Sequence, residues 1–291
     1  MFLTIFTPTY NRAYILPKLF ESLQKQTVKD FEWLVVDDGS TDNTAELISE
    51  LKEKADFPIR YFVQENHGKH VAINYGAQNA KGDLFFIVDS DDYLSENAVE
   101  IIEQKYHSIK NNPAISGIAV GYRSIKKNGQ IIYSKNLPQH ENLLTYNQLV
   151  FDLKIKGDFA TAFKTEIQKA FPYPVFENEN FMRESIVYRR IGKKYKTLYI
   201  DDPLYFADYL EDGLTVKSWQ MLKKNPVGAS LFFQELSREK IPLKDKLSAL
   251  NAYWDFQMND IQSPFFTKFK GVSLILSIFV LLNKKLKLIK L

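Results

Sequence analysis

Three carboxylates, Asp89, Asp91 and Asp92, fall within four positions directly after the apolar run 84–88. Five apolar residues in a row predict a strand covered on both faces of a sheet. The C-terminal end of such a strand is where open α/β sheets place their ligands. Acids packed this closely repel one another, so a cation is expected among them. A hard divalent ion suits an all-oxygen donor set, and Mg²⁺ or Mn²⁺ commonly arrives with a phosphate attached. The plain alternative is an acidic turn capping the next helix, for which Asp92 and Ser95 are suitable N-cap residues.

The elements that must position these acids are legible upstream. Residues 3–7 read as a strand and Pro8-Thr9-Tyr10-Asn11-Arg12 as a turn. Ile15, Leu16, Leu19, Phe20 and Leu23 then recur at helical spacing to about residue 26. A second strand, 31–36, ends in Asp37-Asp38-Gly39-Ser40-Thr41-Asp42 and leads into a helix with Leu47, Ile48 and Leu51 on one face. A third strand at 59–63 precedes a helix over 67–79, entered through Gly68, and a helix over 95–111 follows the fourth strand. Strand and helix alternate with short connections, the pattern of a parallel sheet built from βαβ units. Three polar strand ends, at Thr7 to Tyr10, Asp37-Asp38 and Asp89, would then line one nucleotide-sized crevice.

Past Pro113 the pattern changes. Residues 115–122 and 131–133 flank an Asn128-Gly129 hairpin signal. A helix is expected over 143–151, a strand over 159–163, a helix over 182–191 stopped by Gly192, and a strand over 196–200. Helices dominate after Trp219. The expected architecture is an α/β catalytic domain over 1–215, with a nucleotide-binding half (1–122) and an acceptor half (123–215), and a helical extension over 216–291.

Composition narrows the chemistry. The 291 residues contain no cysteine, which excludes disulfides and thiolate metal sites and suits a reducing cytosol. The first residues lack the basic start of a signal peptide and read as a first strand. The net charge of +3 conceals an asymmetry, because six lysines and no acid follow Pro264. The basicity belongs to the tail, and a general nucleic-acid surface is not expected.

Four motifs occur in order: Thr7-Pro8-Thr9-Tyr10-Asn11; Val35-Val36-Asp37-Asp38-Gly39-Ser40-Thr41-Asp42; Asn66-His67-Gly68-Lys69 with Asn74 and Gly76; and Val88-Asp89-Ser90-Asp91-Asp92. Together they resemble the nucleotide-binding half of family 2 glycosyltransferases of the GT-A fold. That resemblance covers roughly residues 1–122. It implies a mostly parallel central sheet with helices on both faces, a nucleoside-diphospho-sugar donor (usually a UDP-sugar), and Mn²⁺ or Mg²⁺ on the Asp-x-Asp. It also implies that Asp91 binds the metal, Asp89 and Ser90 face the donor, Asp37 or Asp38 contacts the base, and Lys69 approaches the ribose or phosphates. Thr7, Pro8, Thr9 and Tyr10 would bracket the base. His67 and His70 are expected in helix-start or supporting roles.

A sugar acceptor must also lose a proton, which calls for a carboxylate base. In the resembling family this is the Asp of a Glu-Asp pair opening a helix, with an Arg six residues on. Here the stretch is Arg183-Glu184, with Arg190 at the Arg position; Glu184 is the expected base, and Glu177 and Glu179 are its rivals. Asp89 and Glu184 would then support inversion by direct displacement. The Gln/Arg-x-x-Arg-Trp motif of processive synthases is absent, which points to one sugar per encounter. Aromatics such as Tyr173, Phe176, Phe181, Tyr205, Tyr209, Trp219 and Trp254 are expected mainly in the core, with sugar stacking as the alternative.

The tail 264–291 carries Phe265, Phe266 and Phe269, then an apolar run over 272–282 flanked by lysines. Eleven helical residues reach about 16 Å, short of the roughly 30 Å hydrocarbon core. An interfacial segment meeting anionic headgroups is expected, against a buried helix or a dimer contact. The resemblance and the tail together imply a peripheral enzyme on the cytoplasmic membrane face, with a lipid-linked saccharide acceptor. The oligomeric state stays open. The alternatives are a sugar nucleotidyltransferase and a non-catalytic nucleotide- or glycan-binding subunit.

Overall fold

A computed structural model of the chain describes residues 1–125, 131–133, 137–155, 159–208, 218–259 and 263–286. In chain order the elements are β1 (Leu3–Thr9), α1 (Leu16–Gln24), β2 (Phe31–Asp37), α2 (Thr44–Lys54), β3 (Ile59–Val63), α3 (Lys69–Asn79), β4 (Leu84–Ile87), β5 (Asp92–Leu94) and α4 (Ala98–Ile109). There follow β6 (Ile115–Ile125), β7 (Ile131–Tyr133), β8 (Glu141–Leu144), β9 (Phe159–Lys164), α5 (Thr165–Ala170), α6 (Ser185–Gly192) and β10 (Lys196–Asp208). The last elements are α7 (Ser218–Lys224), α8 (Pro226–Arg238), α9 (Leu243–Asn259) and α10 (Leu274–Leu286). A π-helical turn at Gln148–Asp152 and a 3₁₀ helix at Phe265–Phe269 complete the inventory.

Contacts divide the chain into two compact units, Met1–Tyr173 with Val187–Gly213, and Pro174–Ile186 with Leu214–Leu291. The first holds the sheet, whose order is β3-β2-β1-β4-β9-β6-β10-β5, with β7 on β6 and β8 on β10. From β3 to β4 every pairing is parallel. Antiparallel β9 joins β4 to β6, and β6 runs parallel to β10.

Side-chain alternation explains why the apolar runs stay unbroken. Leu3, Ile5, Trp33, Val35, Leu84 and Phe86 face one way, into a core with α1, α2 and α4. Phe6 faces the other way, stacked on Phe85 at 4.9 Å between ring centroids, where α3 lies across it. A strand covered on both faces needs apolar residues at every position. Gly76 permits the approach of α3, because a Cβ there would stand 2.1 Å from Phe6 Cε2.

The differences from the sequence reading are local. Residues 143–151 form the end of β8 and then a π-helical turn, not one helix. Glu141–Leu144 alternates exposed and half-buried positions on a sheet margin, so its apolar pair imitates the start of a helical face. Asp92 opens a strand and not a helix, α6 begins at Ser185, and β10 runs on to Asp208. The Asn128-Gly129 turn and Tyr209 lie outside the described residues.

The second unit is helical. Segment 174–186, read from sequence as part of the first domain, belongs here because side chains tie it to α8. Asn225 Oδ1 accepts from Asn180 N (2.7 Å) and Phe181 N (3.1 Å). The Glu179 carboxylate accepts from Val227 N and Gly228 N at 2.6 and 2.7 Å, holding the N-terminus of α8. Trp254 is fully buried against Phe269, at 4.8 Å between centroids. Among the described residues no helix is long and apolar enough to cross a membrane.

Candidate active site

The parallel pairing sets the ends of β2, β1 and β4 side by side, with Thr9 in register with Asp37. Asn11 fastens the first two ends together. Its side-chain oxygen accepts from Thr41 N (2.8 Å) and Asp42 N (3.3 Å), and its own N–H donates to Ser40 Oγ (2.8 Å). This residue sits at φ +52°, a conformation asparagine tolerates better than most side chains.

Asp37 and Asp38 are both buried and both committed to the loop frame. Asp37 accepts from Ser40 N (2.8 Å) and Tyr61 Oη (2.6 Å). Asp38 accepts from Gln64 Nε2 (2.7 Å), His67 N (3.0 Å) and Gly68 N (2.8 Å). The Asp38 carboxylate therefore pins the loop that starts α3, with Gly68 at φ +94°. Thr7 is likewise buried and accepts from Trp33 Nε1 at 2.9 Å. Pro8 and Thr9 are buried beside it, while Tyr10, at 47% exposure, presents its ring at the edge.

The carboxylate cluster is built by a tight turn. Asp92 N donates to Asp89 O at 3.1 Å, reversing the chain between β4 and β5. Asp89, Asp91 and Asp92 thereby bring carboxylate oxygens within 4.8 Å of one another, with Ser90 buried in the turn. Lys69, projecting from the first turn of α3, places Nζ 2.7 Å from Asp89 and supplies the compensating cation. Tyr205 on β10 closes the arrangement from the far side. Its hydroxyl accepts from Asp89 N (3.1 Å) and donates to Asp92 Oδ2 (2.5 Å), and its ring stacks on Tyr122 at 5.0 Å.

Burial pushes the Asp92 carboxyl up, to about 8, and the charges of Asp89 and Asp91 push it further in that direction. The Tyr205 hydroxyl and Lys69 act in opposition. Asp92 is thus the member of the cluster that keeps a proton near neutrality, which lowers the repulsion on the other two.

These donors fit a hard divalent cation. All are carboxyl oxygens, two of the three residues are partly exposed, and one oxygen of each already lies within 4.8 Å of the others. Neither histidine belongs to the cluster. His67 lies exposed with its ring 3.8 Å from Glu65, and burial holds the His70 imidazole down to about 4, hence neutral.

Glu184 precedes α6 and is half-buried in the second unit, beside Arg183, whose guanidinium lies 5.2 Å over the Phe232 ring. Glu177 is exposed, and Glu179 is engaged at the start of α8. Of the aromatics, Tyr173, Tyr205 and Trp254 are buried and Trp219 is 44% exposed. Sequence reasoning had no means of finding the role of Tyr205, because its partner Asp92 is 113 residues away.

The sequence model of the family described as "Glycosyl transferase family 2" matches residues 4–169. A curated relative, "Glycosyltransferase GlyA" of Streptococcus pneumoniae serotype 4, is 33% identical over 170 residues, which is 58% of this chain and 23% of that protein. The match thus spans under a quarter of that relative's length. The "GalNAc(5)-diNAcBac-PP-undecaprenol beta-1,3-glucosyltransferase" of Campylobacter jejuni is 31% identical over 244 residues, 81% of this chain and 73% of its own. Among solved structures, S. aureus TarS 1-349 in complex with UDP-GlcNAc aligns at TM-score 0.56 and 18% identity, over 97% of this chain and 80% of that one. Mannosyltransferase PcManGT from Pyrobaculum calidifontis, in complex with GDP-Man and Mn²⁺, aligns at 0.57 and 19%, over 99% and 81%.

Proposed function

The chain belongs to glycosyl transferase family 2, and we propose that it moves one sugar from a UDP-sugar to a saccharide on a lipid carrier, with inversion. The observation that carries this reading is the convergence of Asp89, Asp91 and Lys69 at the C-terminal ends of parallel strands. The structural neighbours, one in complex with UDP-GlcNAc and another with GDP-Man and Mn²⁺, support a nucleotide-sugar donor and a divalent metal. The undecaprenol-linked substrate in the name of the Campylobacter relative supports the lipid carrier. Such an acceptor sets the work at the cytoplasmic face of the cell membrane, in assembly of a surface polysaccharide.

Asp91 and Asp89 would hold the Mn²⁺ or Mg²⁺, which stabilises charge developing on the departing diphosphate. Tyr205 keeps the carboxylate turn in shape through its bonds to Asp89 N and Asp92 Oδ2. Lys69 offers a positive charge to the phosphates or ribose. The Thr7 to Tyr10 segment, with Asp38 fixing the facing loop, receives the base. Glu184 is assigned as the base that takes the acceptor proton from its position just before α6, where the family carries that acid, while Glu179 caps α8.

The test is thermal stability against a panel of nucleotides and sugar nucleotides, in Mn²⁺ and in EDTA. A ligand that binds only the folded state raises the melting temperature by mass action. Mn²⁺-dependent shifts with UDP and one UDP-sugar are expected. A shift with another nucleotide alone would replace UDP in the assignment, and no shift with any nucleotide would leave a non-catalytic binding subunit.

A further inference from the structure

Helix α10 is packed the wrong way round for a helix in water. Its inward side, where it runs along α9, carries Ser277 (fully buried), Val280 and Asn283. These three recur at i, i+3 and i+6 and define one face. The opposite face presents Ile275 (80% exposed), Ile278, Phe279 and Leu282 to solvent. Phe266, at 86% exposure, and Phe265 extend the apolar surface from the neighbouring 3₁₀ helix. A water-facing helix puts its polar residues outward. Here two polar side chains are spent on the interior while isoleucine, leucine and phenylalanine face out, so the outer medium that suits this helix is apolar.

We propose that the outward face of α10, with Phe265 and Phe266, is a bilayer-docking surface that lies in the plane of an anionic membrane. Two observations select lipid over a second copy of the chain. The sequence from Pro264 on has six lysines and no acid. Among the described residues Lys268 is buried and Lys284 is paired with Asp255, while Lys270 and Lys285 are exposed, so a two-fold pairing of this face would bring this positive rim against its own copy. The same rim is complementary to anionic headgroups, which attract lysines near the surface. Lys284 is held at the margin by Asp255, at 2.7 Å, and Lys285 is exposed. Thirteen helical residues reach about 20 Å, which allows an interfacial helix and not a crossing one. This inference stands on the second unit alone and holds whichever nucleotide the first unit binds.

The experiment is flotation of the full chain with vesicles of phosphatidylcholine, with and without one third phosphatidylglycerol. Binding is expected to the anionic vesicles and to weaken in high salt. The double change Ile275→Glu with Ile278→Glu is expected to reduce partitioning more than about tenfold, and Lys285→Ala about fivefold. These positions are exposed, and circular dichroism checks that the variants fold. Phe266→Glu, at the most exposed of these positions, gives the same readout if the double variant does not fold. Failure of the wild-type chain to float with anionic vesicles overturns the proposal. So does flotation unaffected by either acidic variant. Self-association in the absence of lipid that Ile275→Glu abolishes, with no vesicle binding, would hand the face to a second copy.

Discussion

Replacing Asp38 with asparagine changes one oxygen to an amide and leaves the shape alone. The carboxylate accepts three hydrogen bonds, from Gln64 Nε2, His67 N and Gly68 N, at 2.7 to 3.0 Å. Only 5% of the residue is exposed, so water cannot take over. Asparagine brings a single acceptor oxygen. Turned one way it keeps Gln64 and His67 but aims its NH₂ at the Gly68 N–H. Turned the other way it keeps Gly68 and confronts two donors. The better orientation still forfeits one bond, strips the charge from two more, and sets donor against donor. A hydrogen bond to a charged group contributes about 1.5–3 kcal/mol, and a buried group left unsatisfied costs about 1–3 kcal/mol. Asp38→Asn should therefore destabilise the first unit by about 3 kcal/mol. For a folded unit of about 200 residues that is a fall of roughly 6–12 °C in Tm, read by scanning calorimetry. Because the same bonds fix the start of α3, Mn²⁺-dependent stabilisation by nucleotide should weaken as well. A variant that melts within about 1 °C of wild type would show that Asp38 is not the clamp of this loop and refute the reasoning.

Gly76→Ala forces a Cβ to within 2.1 Å of Phe6 Cε2, and about 1–3 kcal/mol should be lost in urea titration; an unchanged midpoint would mean that α3 can lift freely. Asp92 gives a pH signature. Its folded pKa lies above the unfolded one, so the metal-free protein should lose stability as pH rises from about 4 towards 8. Asp92→Asn, an isostere of the protonated acid, should lack that slope, and parallel Tm-against-pH curves in EDTA would refute it. Asp91→Asn should leave the melting temperature in EDTA unchanged while removing the Mn²⁺-dependent nucleotide shift; a retained shift would take Asp91 out of the metal site. Glu179→Ala and Glu184→Gln should separate cleanly. The first loses about 1–2 kcal/mol of stability and keeps turnover, whereas the second keeps stability and loses about 10²–10⁴-fold in turnover; the reverse pattern would make Glu179 the base.

What the sequence revealed and what it concealed follow from the range of the interactions. The strands and the acids at their ends are written locally: an apolar run such as 84–88 must be covered on both faces, and Asp89 to Asp92 must turn. The expected members Asp89, Asp91 and Lys69 come together because α3 returns antiparallel to the strands and delivers its first turn to their ends. The loop work of Asp37 and Asp38 was not legible, since an acid that accepts from Tyr61 or Gln64 looks the same in sequence as one that awaits a ligand. Tyr205 was hidden by distance along the chain. Glu179 was hidden because its partners are backbone N–H groups of α8, which carry no sequence signature at all. The helix expected over 143–151 failed for a different reason: the edge strand β8 exposes only half its residues, so its pattern is ambiguous between periods.

The sheet order also governs when the site can come into being during synthesis. Strand β1 leaves the ribosome first, yet β2 and β4, its two neighbours, emerge later, and β4 must then wait for β9. The carboxylate turn waits longest, because β5 pairs with β10 and the hydroxyl that braces Asp89 and Asp92 belongs to Tyr205. Contacts of such long sequence separation form late and slowly. A nascent chain released before residue 205 would carry every acid of the cluster and Lys69, without the Tyr205 hydroxyl that braces Asp89 and Asp92. Assembly of the carboxylate turn therefore awaits β10, and a chain that stops short of it exposes the parallel strands without the Tyr205 brace.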